Sequence, residues 1–326
     1  MNQDQFLRKW SLVVADVTGN GIDLSELRIK FTILQSDEES PNTANIRVYN
    51  LSEATVKKII SLTPVEYNRV VLQAGYQDGN FGIIFDGTIR QFRKGRENNI
   101  DSYLDILAAE GDIPFEFSYV QQPLAAGWKQ SDAISAATKA MGLKENIVTD
   151  SNGLLGGTNP RGKVLWGLAR VALRSATQSI GSAWSINNGT VQVIPLQGYL
   201  PNEAIVLNAK TGMIGVPEQT DEGIRVKCLL NPKLIIGGRI QIDNASINQL
   251  TQQGAGMAGL SGALPVGQIR FDSITGDVQL PASVAADGMY RVYVVEYEGD
   301  TRGNPWYANI IALAIDPSNN KVIAKN

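Results

Sequence analysis

LRIKFTILQS (27–36), ANIRVYNL (44–51), RVVLQAGY (69–76) and GIIFDGTIRQF (82–92) set the fold class, because apolar and polar residues alternate through each of them. A period of two puts one face of a strand on a core and the other in solvent. Asp78-Gly79-Asn80 separates the third run from the fourth and has the composition of a hairpin turn. One helix fits among the strands: Ser52 precedes Glu53-Ala54-Thr55 as an N-cap, and Val56, Ile59 and Ile60 fall on one side. The expectation for residues 1–110 is an antiparallel β-barrel or sandwich with one helix.

Outward from that region the texture changes near Asp112. EFSYV (116–120) and NIVTD (146–150) read as short strands between two helical stretches. SDAISAATKAMG (131–142) has Ser131 placed to cap, Ile134, Ala137 and Met141 on one face, and Gly142 as terminator. KVLWGLARVALRSATQSIG (163–181) reads as one longer helix with Leu165, Leu168, Val171, Ala172, Ala176 and Ile180 at three- and four-residue spacing. AWSINNGTVQVIP (183–195) reads as a hairpin about Asn188-Gly189, a pair that tolerates positive φ at both positions. Residues 111–197 are therefore assigned to a small α/β domain with two helices.

Strands return in IVLNAK, GIRVKCLLNP, IIGGRIQID, QIRFDSIT, YRVYVVEYEG and WYANIIALAI, so residues 198–326 are expected to form a second β-rich domain. A Gly, Ala, Ser and Gln stretch between Asn244 and Gly267 interrupts it and is expected to be a mobile loop, with its glycines concentrated near 250–265. The fold class is mainly β with an α+β insert.

Composition narrows the chemistry. The chain has 326 residues, which suits two or three domains, and 29 basic against 32 acidic residues give a net charge of −3. That balance argues against a general nucleic-acid-binding surface. There is no histidine, so Ser-His-Asp, Cys-His and zinc-histidine chemistry are excluded, and a single cysteine, Cys228, rules out an intrachain disulfide. No secretory leader or long apolar span is evident, and the chain is expected to be neither exported nor membrane-spanning.

Motif-like spacings have plainer explanations. Gly254, Gly256 and Gly259 match G-x-G-x-x-G, but no strand leads into them and no helix follows. Gly157 to Lys163 approaches a P-loop, yet Val164 stands where the Mg²⁺-binding hydroxyl belongs and Pro160 lacks an N–H, so it reads as a turn feeding a helix. Asp16 to Gly21 starts like a calcium loop but has Leu27 where a bidentate glutamate is required. The Asn50 and Asn188 sequons have no occasion for glycosylation without export. Glu296, Glu298 and Asp300 are the carboxylates that a glycosidase reading would draw on, with Glu296 and Glu298 on one face of a strand. Cys228 reads as a small apolar strand residue. No catalytic, metal or cofactor-binding residue is assigned, and no cofactor is expected.

Taken together, residues 27–59, 70–98, 211–243 and 290–313 resemble the baseplate hub proteins of tailed bacteriophages, especially contractile-tailed ones, and the related amino-terminal regions of type VI secretion spikes. The most specific pieces are Tyr49-Asn50-Leu51-Ser52, the Leu229-Leu230-Asn231-Pro232 turn, and Gly299-Asp300 before Trp306-Tyr307. Many relatives carry a histidine two places before that glycine, where this chain has Tyr297. The resemblance implies a structural, non-enzymatic virion protein in the tail baseplate, made in the host cytoplasm. It makes residues 198–326 a second β-barrel beside that of residues 1–110, and implies a trimer whose six tail-tube-like barrels adapt a sixfold tail tube to a threefold central spike and form part of the DNA channel. Its partners would be the tail tube protein, the spike protein, other baseplate proteins and the tape measure protein, with genomic DNA passing unbound along a neutral to acidic wall during ejection. Two other readings are a carbohydrate-binding tail adhesin, with Trp306 and Tyr307 stacking on sugars, and a peptidoglycan hydrolase.

Overall fold

The computed structural model describes residues 5, 7–15, 21–60, 68–148, 157–220, 223–242, 270–271, 278–279, 288–316 and 320–322. The calcium-like loop before Gly21 and the Gly-rich stretch with Gly254, Gly256 and Gly259 lie outside these residues.

The first region runs β1 (Arg8–Ala15), β2 (Gly21–Asp23), β3 (Ile29–Ser36), β4 (Thr43–Tyr49), α1 (Glu53–Ile60), β5 (Arg69–Tyr76), β6 (Phe81–Arg96) and β7 (Ser102–Ala109). Alternation works as read: Ile29, Phe31 and Ile33 of β3 are buried while Lys30, Thr32 and Leu34 are exposed. Ser52 caps α1 by accepting the Thr55 N–H at 3.0 Å. Residues 78–80 connect β5 to β6 as an antiparallel hairpin.

The middle region runs α2 (Asp112–Phe117), β8 (Tyr119–Leu124), α3 (Gln130–Met141), β9 (Lys144–Ile147), β10 (Lys163–Leu168), α4 (Ala169–Gln178), β11 (Ser182–Asn187) and β12 (Thr190–Pro195). Three local expectations are corrected here. Glu116 and Phe117 close α2 instead of opening a strand, and the strand starts at Tyr119. The cap of α3 is Lys129, whose N–H donates to the Asp132 carboxylate at 2.8 Å, so the helix begins one residue before Ser131. The stretch 163–181 is not one helix: its first six residues form β10, paired antiparallel with β8, and α4 starts at Ala169. Gly167 at φ +124° takes a conformation no α-helix contains, and Leu168 is extended. The buried residues of α4 are Ala169, Leu173, Ala176 and Thr177, whereas Val171 is exposed. The hairpin at Asn188-Gly189 has φ 52° and 67°, a two-residue turn with positive φ at both centres.

The last region contributes β13 (Ile205–Leu207), β14 (Met213–Thr220), β15 (Gly223–Leu229), β16 (Arg239–Ile242), β17 (Arg270–Phe271), β18 (Val278–Gln279), β19 (Met289–Asp300), β20 (Trp306–Asp316) and β21 (Lys321–Val322). The protein is mainly β. The first and last regions are joined in one sheet, in the order β14-β15-β20-β19-β3-β4-β7-β6-β5-β1-β2. The join is the antiparallel pair β3–β19, in register from Lys30↔Asp300 to Ser36↔Val294. No pairing among the described residues closes either part into a barrel, because the path runs open from β14 to β2.

Two apolar cores follow. One collects Phe31, Ile33, Ile46 and Phe85 from the first region with Tyr297, Trp306 and Ile310 from the last. The other is confined to the insert, where Ile134, Leu173, Trp184 and Val191 pack together. Among the described residues no helix is long and apolar enough to cross a membrane.

Candidate assembly site

The residues that most marked the sequence converge on the seam between β3 and β19. Asp300 ends β19 and accepts both prongs of the Arg28 guanidinium, Nε at 3.2 Å and Nη2 at 2.7 Å. Its Oδ1 also takes the N–H groups of Arg302 and Gly303 at 3.0 and 2.9 Å, so one carboxylate shapes its own turn and ties it to the other region. Burial would raise the Asp300 carboxyl, but the Arg28 hydrogen bond and these N–H donors hold it below its ordinary value. Arg8 from the first strand gives Nη1 to the carbonyls of Asp300 and Gly303, at 2.9 and 2.5 Å, and Nη2 to that of Asn304 at 2.9 Å.

Behind this turn Trp306 is 1% exposed and lies edge-on to Phe31 and Trp10, with centroids 5.6 and 6.3 Å apart. Gly299 is where Phe31 needs room: a Cβ there would meet the ring at 2.3 Å. The Tyr49–Ser52 motif lies beside the same turn. Asn50 leaves β4 at φ 54°, and its amide joins β4 to β7 through Asp101 Oδ1 at 2.9 Å and the Ser102 N–H at 3.1 Å. Arg28 lies over the Tyr49 ring at 4.6 Å, and a shallow cavity opens between Leu27, Arg28, Tyr49, Asn50, Asp101 and Arg302. The Asn231-Pro232 turn packs on the hairpin of the first region: Asn80 Nδ2 donates to Asn231 Oδ1 at 3.3 Å, and Pro232 approaches Gly82. Tyr297, fully buried, directs its hydroxyl at the Asn231 and Leu234 carbonyls, 3.4 Å from each, and desolvation pushes its phenol far up.

A second polar seam holds the insert. Asp37 pairs with Arg291, both 3% exposed at the side chain, and Arg291 Nη1 donates to the Gly198 carbonyl at 2.9 Å. Removing one member of such a pair leaves a buried charge, which costs about 3–5 kcal/mol. Ser185 on the insert donates to Asp37 at 3.3 Å. Asn42 gives its amide to Glu110 at 2.9 Å and Asn187 at 2.8 Å, and Glu110 takes the Gly189 N–H at 2.9 Å. Burial pushes Glu110 up to about 7 against these two stabilising donors, with the Asp86 charge adding to the rise. The second seam was not legible in the sequence, because Asp37, Asn42 and Glu110 meet partners there that lie more than sixty residues away.

The remaining marked residues have settled positions. Glu296 and Glu298 do share one face of β19, where Glu296 accepts from Asn309 at 3.2 Å, but Asp300 is engaged with Arg28. Trp306 is buried and cannot stack on a sugar, which removes one of the two aromatics of the adhesin reading; Tyr307 carries the Lys227 ammonium 4.3 Å from its ring centroid. Cys228 is 1% exposed and burial pushes its thiol up to about 12. The P-loop-like segment leads into strand β10, not a helix, and its Asn159 N–H is spent on the Trp128 carbonyl at 2.8 Å. Lys163 lies over the Trp128 ring, 5.4 Å from its centroid.

Solved structures with a similar fold include phage tail proteins. The chain superposes on the 43 kDa tail protein of prophage MuSo2 from Shewanella oneidensis with a TM-score of 0.55 at 9% identity, covering 98% of this chain and 100% of that one. A tail protein from Neisseria meningitidis MC58 gives 0.55 at 8% identity over 94% and 96%. E. coli c3393, a component of the type VI secretion system, gives 0.49 at 9% identity over 98% and 80%. No curated protein sequence matches significantly. At these identities the structures speak for the fold alone, but the sequence model of the family described as baseplate hub gp41 matches residues 12–252, and on that match the chain belongs to the baseplate hub gp41 family.

Proposed function

We propose that three copies of this chain form a ring in the tail baseplate that adapts a sixfold tail tube to a threefold central spike. Residues 1–110 and 198–326 are the two tube-like halves of each copy, and 111–197 is the insert beside them. The observation that carries the reading is the β3–β19 pairing, which holds two β regions in fixed relation within one chain. Three such chains present six β regions, the number a sixfold tube requires. The Asp300 turn and the buried Trp306 reinforce that fixed relation and add no reactive group.

In this reading the ring encloses part of the DNA channel. Its neighbours are the tail tube, the spike, other baseplate proteins and the tape measure protein in a contractile tail. The channel wall carries no continuous basic lining, since Lys and Arg rows would retain phosphates and slow passage. Cross-linking mass spectrometry on purified tails tests the stoichiometry: three copies in one ring are expected, and six copies or one would overturn the symmetry-adapter role.

A further inference from the structure

The β8–β10 ribbon is an outer layer of the insert. Val120 and Leu165 face inward to the helix pair and are buried. The opposite face is apolar and open to water: Val164 is 68% exposed, Trp166 66% and Tyr119 48%, with Phe117, 61% exposed, just before the strand. Tyr119 and Trp166 meet edge to face at 5.4 Å, so the face is ordered by its own aromatic contact. Each strand pairs only with the other among the described residues, which leaves both ribbon edges unpaired there. Elsewhere Trp128, Trp184 and Trp306 are buried, so Trp166 stands out as a large ring kept at the surface.

Cations border this face at both ends. Arg161 stands beyond the end where Lys163 pairs with Leu124, Lys163 itself turning to the inner side over Trp128, and Arg170 follows the end where Leu168 pairs with Tyr119. None of the three meets a carboxylate among the described residues: Lys163 lies over Trp128, and Arg170 donates to the Phe115 carbonyl at 3.0 Å. By contrast Arg28, Arg47, Arg69, Arg90 and Arg174 each have one. A twofold contact of this face with itself would set like charges together, which is unfavourable. We propose that the ribbon face docks an apolar, carboxylate-bordered segment of a different tail protein. This rests on the reading that the chain works inside a tail.

The test places a photo-cross-linking residue on the face, Gln121→p-benzoylphenylalanine, in chains assembled into tails. The expected adduct joins it to a peptide of a different tail protein with Asp or Glu flanking apolar residues. Trp166→Asp should lower incorporation into tails at least tenfold while lowering the unfolding midpoint of the free chain only slightly, since the ring is mostly exposed and its one aromatic contact is with Tyr119. Arg161→Glu should weaken incorporation as well. An adduct to a second copy of this chain, to DNA or to lipid would overturn the proposal, as would wild-type incorporation of Trp166→Asp. Absence of the unmodified chain from purified tails would instead refute the tail reading itself, and this surface with it.

Discussion

Glu110→Gln should make the pH dependence of stability disappear between pH 5 and 8. Glu110 is 1% exposed and burial raises its carboxyl from 4.5 to about 7. The native state therefore favours the neutral acid, so the stability this group contributes is complete below 4.5 and is lost as pH rises through about 7. At about 1.36 kcal/mol per pH unit, the gap from 4.5 to about 7 amounts to ~3 kcal/mol. The window is uncluttered, because the chain has no histidine and the lone thiol is pushed up to about 12. Carboxylates held low, such as Asp23, Asp101 and Asp300, act in the opposite sense and only at more acid pH. The assay is urea unfolding at several pH values for wild type and Glu110→Gln. Wild type should lose about 2.5 kcal/mol between pH 5 and 8. The variant should be flat, starting about 1 kcal/mol lower because its amide faces that of Asn42, so the two curves should cross. A flat wild-type curve, or a decline that persists in Glu110→Gln, would refute the assignment.

Gly299→Ala should destabilise by about 1–3 kcal/mol through overpacking, because the new Cβ meets a Phe31 ring that Trp306 prevents from moving aside. A urea midpoint equal to wild type would show that the β3–β19 seam is looser than its packing indicates. Calorimetry with ATP and Mg²⁺ should give no binding heat, because the 157–163 loop has spent its Asn159 N–H on Trp128 and leads into a strand. Micromolar binding abolished by Lys163→Ala would reverse that conclusion.

Local order alone determined the parts that depend on neighbours in the chain. Alternation in residues 29–35 sufficed to place β3, Ser52 to start α1, and Asn188-Gly189 to turn a hairpin, because each is decided within a few residues by side-chain period, a cap or a φ preference. The absence of histidine likewise bounded the chemistry before any geometry was known. Residues 163–168 misread as helix because Leu165 and Leu168 fit a helical spacing, and only pairing with β8 makes them a strand. Tertiary structure decided everything that joins distant segments. The β3–β19 pair spans some 260 residues, and its partners satisfy the same period-two pattern that separate barrels would, so alternation cannot choose between them. The burial of Asp37 against Arg291, the raised Glu110 carboxyl and the enclosure of Trp306 arise only when the folded chain excludes water from those groups.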